Sequence, residues 1–432
     1  MSRIRIVGGK INKITGGNYN LYSGRNTNIT ALGKNNFKAG NTIYGNNPKV
    51  PVIETVEEAR VKTIICLDDL DDGAANNGNI GEIQKGAIYG KSYRFEISEF
   101  IDKEPISDSS IRWKVSCTDL ETGDTYDNIL KDKFYRGKSI SIHFGVNKFC
   151  GHIITVKAFI QDEETEGRIP IFYHNRFRWF DREIIKDEIK DRINTGKNID
   201  QGESSMCGVA LIGHYLAIQK PNEYKKIILD LHRKGKTVIT DTDYEIKIDS
   251  DEHLLEVKPM DSKYPKDSSS QQIMSFADYV FLFTIKDHLN VIFDYDPDGP
   301  NVGGLVEGLT GLTFPNEIKI MMKEILFYTD VKEETNLVTS KWSSAKNSYT
   351  DLLNLLVNDY SIAFFINADN FTKDKKSKFT IPNHWVGLKN IFIDEVKQTI
   401  TVIVFTWGEV SKRWTVSFDV FENGYFGYVA GK

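Results

Sequence analysis

The chain contains no uninterrupted apolar run of the roughly 18–20 residues that a bilayer-spanning helix needs, so no membrane span is expected. Cysteine is scarce, with four in 432 residues (Cys66, Cys117, Cys150 and Cys207) and no CxxC pair. Four are too few for a disulfide framework, and the spacing excludes a zinc ribbon; reduced thiols are the expectation. The eight histidines fall singly, none in an HExxH or HxxxH spacing, which disfavours a zinc hydrolase and leaves no metal expected. Positive charge is not in excess either: 55 Lys and Arg stand against 60 Asp and Glu, a net charge of −5. Non-specific nucleic-acid binding needs a positive field and is disfavoured. The glycine-rich stretch "DGPNVGGLVEG" lacks the Gly-Lys-Ser/Thr of a phosphate loop, and no cofactor is expected. The opening "MSRIRIVGGKINKITGG" has an Arg pair but no apolar core. A cleaved secretory signal is therefore not expected, and the chain would be made in the cytoplasm.

What is present is a globular composition, 40% hydrophobic and 27% charged, in a chain long enough for two or three domains. Residues 1–50 are rich in Gly and Asn, with short β-prone pieces between turn residues, and Pro48 and Pro51 mark a linker. Residues 52–175 alternate in short runs such as "KSYRFEISEF", "SIRWKVSCTD" and "HIITVKAFIQ", as an immunoglobulin-like β-sandwich requires. Trp113 and Cys117 share one face there, and those thiols read as core packing. From 176 to 432 helices enter first and strands close the chain, which defines an α+β domain. "FDREIIKDEIKDRINTG" puts Ile184, Ile185, Ile189 and Ile193 on one helical face and stops at Gly196. Further helices are expected at 207–218, 221–234, 269–282, 316–326 and 344–358. Strands are expected in "SIAFFIN", "HWVGLKNIFI", "TITVIVFTW", "RWTVSFDVF" and "GYFGYVAG".

The candidate chemistry centres on "DQGESSMCGVALIGHYLA", residues 200–217. Cys207 opens a helical stretch, and a helix N-terminus favours the thiolate through its unpaired N–H groups and positive dipole. Ser204 or Ser205 would cap that helix, and Gly208 would let a substrate or another backbone come close. Gln201, six residues before Cys207, could donate its amide to an oxyanion. Far downstream, His384 stands at the start of a strand in "IPNHWVGL", followed by "VIVFTWGEVSKRW…ENGYFGYVAG". His214 lies about two helical turns, roughly 10 Å, along the axis from Cys207, too far for proton transfer.

Taken in order, "DQGESSMCG", "NHWVGL" and "TWG…ENGYFGYV" resemble the nucleophile, histidine and C-terminal segments of papain-like cysteine peptidases. The resemblance covers roughly residues 176–432. It implies a papain-like fold with Cys207 as nucleophile and His384 as base. It also implies that Gln201, with the Cys207 backbone N–H, forms the oxyanion hole, and that Trp407 shields the histidine; Gly208 and Trp407 would flank the substrate. One position departs from the family: an Asn is usual two residues before the Trp of Trp-Gly, and Phe405 stands here. The third member is open among Thr406, Asp394 and Glu409, or absent.

The first 50 residues resemble the PAAR-like β leader of type VI secretion effectors, which associates with the secretion spike. Papain-like toxin domains occur on such effectors. The two resemblances together imply an antibacterial toxin exported without a signal peptide into target cells. Its partners would be spike and tube proteins and a cognate immunity protein. The bond cleaved would be an amide in a protein, a peptidoglycan stem peptide or a glutamine side chain. The alternative is a non-enzymatic structural or binding component of the secretion apparatus.

Two other motifs are weaker. "DYDPDGPNVGGLVEG" starts like a calcium loop with Asp294, Asp296, Asp298 and Gly299, but Leu305 stands where the bidentate acid belongs; an Asp/Gly turn is expected. "TKDKKSKFT" reads as a solvated basic loop before the His384 strand.

Overall fold

Alternating apolar residues in the first part of the chain do form a sandwich. The computed structural model describes residues 59–432, apart from 128, 130–134, 197, 203, 263, 267–271, 290–312, 337–342 and 376–380. The leader, the calcium-like loop and most of the basic run lie outside the described residues.

One sheet joins β1 (Arg60–Cys66), β4 (Ser92–Ile101) and β8 (Ser139–His143). β2 (Asp71–Ala74) and β3 (Ile83–Gly86) form a separate antiparallel hairpin. The second sheet runs β10 (Gly167–Tyr173), β9 (His152–Phe159), β5 (Arg112–Thr118) and β6 (Thr125–Tyr126), with β7 (Tyr135–Arg136) also on β5. The pairs within both sheets are antiparallel. Inward residues of both sheets (Tyr93, Phe95 and Ile97 against Trp113, Val115 and Val156) form one apolar cluster. Cys117 and Cys150 are buried in it as free thiols.

That cluster ends at Tyr173, and a separate one begins at Phe177. Arg60–Lys432 nevertheless hold together as one compact unit. The junction is polar: Arg182 of α1 (Arg182–Thr195) pairs with Glu121, and the Asp181 carboxylate accepts the N–H groups of Asn77 and Gly78. Asp181 also caps α1, and Gly196, at φ 63°, ends it. Gly196 is the stop read from the sequence, and the Asp181 cap explains the start.

α2 (Cys207–Gln219) is the central helix, and every residue from Cys207 to Ala217 is buried. A helix apolar all round belongs in the interior, and this one lies between α3 (Pro221–Lys234) and the C-terminal sheet. The small hairpin β11 (Lys236–Val238) and β12 (Glu245–Lys247) follows α3. The helix expected at 269–282 starts later. Ile273 is paired with Lys266, and Ser275 caps α4 (Phe276–Asp278), which continues through a π turn (Tyr279–Phe283) into α5 (Thr284–Leu289). α6 (Pro315–Glu324) packs on α2.

The C-terminal sheet is antiparallel with order β13 (Val331–Thr335), β18 (Tyr425–Gly431), β14 (Ser361–Ile366), β15 (His384–Asp394), β16 (Thr399–Thr406), β17 (Glu409–Ser417). Both faces are covered. Phe365, Trp385 and Phe405 join the cluster around α2, while Ile362, Phe364, Val386 and Val404 join a second cluster with α7 (Ala345–Val357). Gly387 permits close contact between helix and sheet, because a Cβ there would lie 2.7 Å from Leu211 Cδ1. α8 (Ala368–Lys373) and α9 (Phe418–Gly424) close that side. The strand expected through "RWTVSFDVF" stops at Ser417, whose hydroxyl accepts the Val420 N–H and starts α9.

No helix among the described residues is long and apolar enough to cross a membrane.

Candidate active site

The start of α2 meets the start of β15. Cys207 is the first residue of the helix, and its sulfur accepts the backbone N–H of Trp385 at 3.3 Å. Trp385 N is about 2.4 Å from His384 Cα across the peptide unit. The two distances add to about 6 Å as the upper limit between His384 Cα and the Cys207 sulfur, so the backbone at His384 lies beside the thiol.

In the observed state the imidazole is not hydrogen-bonded to the sulfur. His384 Nε2 is 2.6 Å from Thr406 Oγ1. Ile366 pairs with His384 and Gly387 with Phe405, so β14, β15 and β16 together hold these two side chains. With Nε2–H donating to the hydroxyl, Nδ1 keeps the lone pair that a base needs. Trp407 stacks on the imidazole with ring centroids 4.4 Å apart and planes 15° from parallel.

Of the three candidates for a third member, Thr406 is the one in contact with the imidazole. Asp394 stands at the far end of β15, ten residues or about 33 Å along the strand, and accepts the Lys397 N–H. Glu409 pairs across the turn with Thr406, but its exposed carboxylate is bound to Lys412. Phe405, where the family pattern has Asn, faces the opposite way and stacks on His214 of α2 at 3.7 Å. His214 itself donates Nδ1–H to Gly196 O, 2.8 Å away, so it is a packed helix residue.

"TWG" has a structural reason as well. Trp407 (φ 44°) and Gly408 (φ 72°) are the two loop residues between the paired Thr406 and Glu409. Positive φ at both is the type I′ hairpin turn. Glycine adopts it freely, whereas a Trp there is costly and is held by its stack on His384.

Several expectations around Cys207 change. Neither Ser204 nor Ser205 caps α2; the N-cap is Met206, which supplies no side-chain acceptor. The first N–H groups are consequently free to turn to the sulfur. Gln201 is buried, and its amide donates to Ser204 O at 2.8 Å, closing its own loop. Gly208 is approached by the chain itself: a Cβ there would lie 2.6 Å from both Thr313 Cβ and Ile318 Cδ1. Thr313 O in turn accepts Trp385 Nε1–H at 2.7 Å.

Both chemical groups are enclosed, Cys207 at 3% exposure and His384 at 4%. Burial pushes the Cys207 thiol up to about 11, against the pull of the N–H groups of Trp385, Gly208 and Cys207 itself. Burial alone pushes His384 down to about 3. Thiol and imidazole are both neutral at rest. A cavity of about 610 Å³ lined by residues such as Arg176, Lys236, Lys247 and Asp287 includes neither of them.

Sequence reasoning missed Arg192, Asp278 and Thr313. The first two are charged residues whose partners lie 86 residues apart, and no local pattern marks them. No family model, curated protein or solved structure matches this chain.

Proposed function

We propose that the protein is a cysteine hydrolase of amide bonds, with Cys207 as nucleophile and His384 as base. The observation that carries this reading is the Trp385 N–H bonded to the Cys207 sulfur. It sets the backbone of His384, a neutral histidine in contact with a hydroxyl, within about 6 Å of a thiol at a helix start. The Nδ1 of His384 takes the thiol proton as sulfur attacks the carbonyl carbon. The N–H groups at the uncapped start of α2 face the developing oxyanion. The tetrahedral species collapses as the C–N bond breaks, and His384 returns the proton to the leaving amine. Water, deprotonated by the same imidazole, then releases the acyl group from sulfur. A peptide bond in a protein or a peptidoglycan stem peptide and a glutamine side chain share this first step.

The toxin reading rests on the sequence resemblances. It is tested by expressing the chain in the cytosol and, with an export signal, in the periplasm of bacteria. The expected outcome is growth inhibition in one compartment by the wild type and none by Cys207→Ala or His384→Ala. Equal inhibition by wild type and Cys207→Ala would sink the reading. A second reading, a non-enzymatic binding component, is favoured by the enclosure of both groups and by Thr313 packed on Gly208. It requires that Cys207→Ala leave the biological effect unchanged.

A further inference from the structure

The loop that leads to Cys207 and the turn that covers His384 are tied to one buried ion pair. Arg192, on the last turn of α1, faces Asp278 of α4 with two bonds: Nε to Oδ1 at 3.2 Å and Nη2 to Oδ2 at 2.9 Å. Their side chains are 6% and 2% exposed. A pair so deeply buried costs desolvation that its mutual attraction only partly offsets, and its remaining bonds show what it holds. Arg192 Nη2 also donates to Asn198 O at 3.0 Å and to Ser275 Oγ at 2.7 Å. Asp278 Oδ2 accepts the Asp200 N–H at 3.2 Å, and the Asp200 carboxylate accepts the Gly202 N–H at 2.9 Å. Residues 198–202, which run into Gln201 and the nucleophile, are thereby fixed from below.

The same segment reaches the histidine side. Asn198 N donates to Gly408 O at 3.2 Å. Gly408 is the second residue of the turn whose first residue, Trp407, lies against His384. At Gly408 a Cβ would lie 3.4 Å from Asn198 Cα, so the turn rests directly on the loop. A path of hydrogen bonds thus runs from Asp278 through Arg192 and Asn198 to the cover of His384, and a branch runs through Asp200 to the Cys207 loop.

We infer that Arg192, with Asp278, is a positioning residue for the candidate catalytic pair, holding the Cys207 loop and the Trp407–Gly408 turn in one register. This rests on the cysteine hydrolase reading. The planar fork suits three acceptors at once, which an ammonium on a flexible stem does not reproduce. Glu188, one turn before Arg192 on α1, braces the other end. Its carboxylate accepts the N–H groups of Phe276 and Ala277, where α4 begins. Arg182, on the same helix, serves as a control: it pairs with Glu121 and contacts Leu229 O and His232, away from the site.

The test is a double-mutant cycle read on alkylation of Cys207 by iodoacetamide at pH 7, followed peptide by peptide. The quantity is the factor by which His384→Ala slows the reaction, because loosening of the fold alters both arms and leaves that factor unchanged. In the wild-type background the factor should be on the order of tenfold or more, within the range of general-base assistance and orientation. In Arg192→Lys it should fall to within about twofold of unity. In Arg182→Lys it should stay at the wild-type value. Asp278→Asn, which keeps the shape of the pair, provides the same reading if Arg192→Lys does not fold. An undiminished factor in the Arg192 and Asp278 variants, or an equal fall in Arg182→Lys, overturns the positioning role while the Cys–His reading stands. A factor of unity in the wild type removes both.

Discussion

At the scale of single residues, the Thr406 hydroxyl decides how His384 can work. With Nε2–H donating to it, Nδ1 is left as the free lone pair. Thr406→Val keeps the β-branched shape and removes the acceptor. A buried Nε2–H left unpaired costs about 1–3 kcal/mol, and the ring loses its preferred tautomer. The expected outcome is a lower melting temperature, together with a fall of about tenfold or more in the His384-dependent part of Cys207 alkylation. A variant as reactive and as stable as the wild type would show that the hydroxyl does not orient the ring. Cys207 and His384 were legible because each sits beside an element boundary with a marked pattern. Thr406 was legible only as one of three options, since strand alternation alone does not say which side of a hairpin turn meets the ring. Phe405, standing where the family pattern has Asn, carries no polar group to orient an imidazole. Its stacking on His214 depends on a helix residue 191 positions earlier in the chain and was not readable.

At the scale of elements, the start of α2 is shaped by what packs on it. Ala is favoured over Gly inside a helix by roughly 1 kcal/mol, so Gly208→Ala would be stabilising if the helix stood alone. Here the new Cβ meets Thr313 Cβ and Ile318 Cδ1 at 2.6 Å, and overpacking of this kind costs about 1–3 kcal/mol. The overlap wins: the urea midpoint should fall, and Trp385 Nε1 should lose Thr313 O as the contact opens. An unchanged or raised midpoint would mean that Thr313 does not rest on the helix. Elements with strong local signals matched closely. α1 carries Asp181 at its start and Gly196 at its end, and β14, β15 and β16 carry dense apolar runs. The misses have physical causes. α4 begins only where Ser275 can cap it, and "SFDVF" turns helical because the Ser417 hydroxyl competes with the strand for backbone partners.

At the scale of the whole molecule, several titratable groups buried as neutral species set the response to acid. Burial pushes His214, His232 and His384 each down to about 3, while an unfolded histidine titrates near 6.5. Between those values the unfolded chain binds protons that the folded one refuses. The stability is therefore fully present above pH 6.5 and is lost as the pH falls towards 3. Each such histidine contributes up to about 1.4 kcal/mol per pH unit. Glu188 opposes one of them: burial raises its carboxyl to about 7, so the folded state takes up a proton that the unfolded chain does not bind until pH falls to about 4.5. Among these four groups, three protons against one contribute a slope of about 3 kcal/mol per pH unit between 6.5 and 4.5, and His152, His174 and His288, also held down by burial, steepen it. Urea unfolding at pH 7.5, 6.5 and 5.5 should show the midpoint level above 6.5 and falling steeply below it. His232→Gln isolates one contribution, because an amide can donate to Phe180 O and accept from Arg182 as the ring does. Its slope should be shallower by about one proton, whereas Glu188→Gln should steepen the slope by the same amount. A wild-type midpoint flat down to pH 5 would mean that these histidines are charged inside the folded protein, and with His384 charged there would be no base beside Cys207.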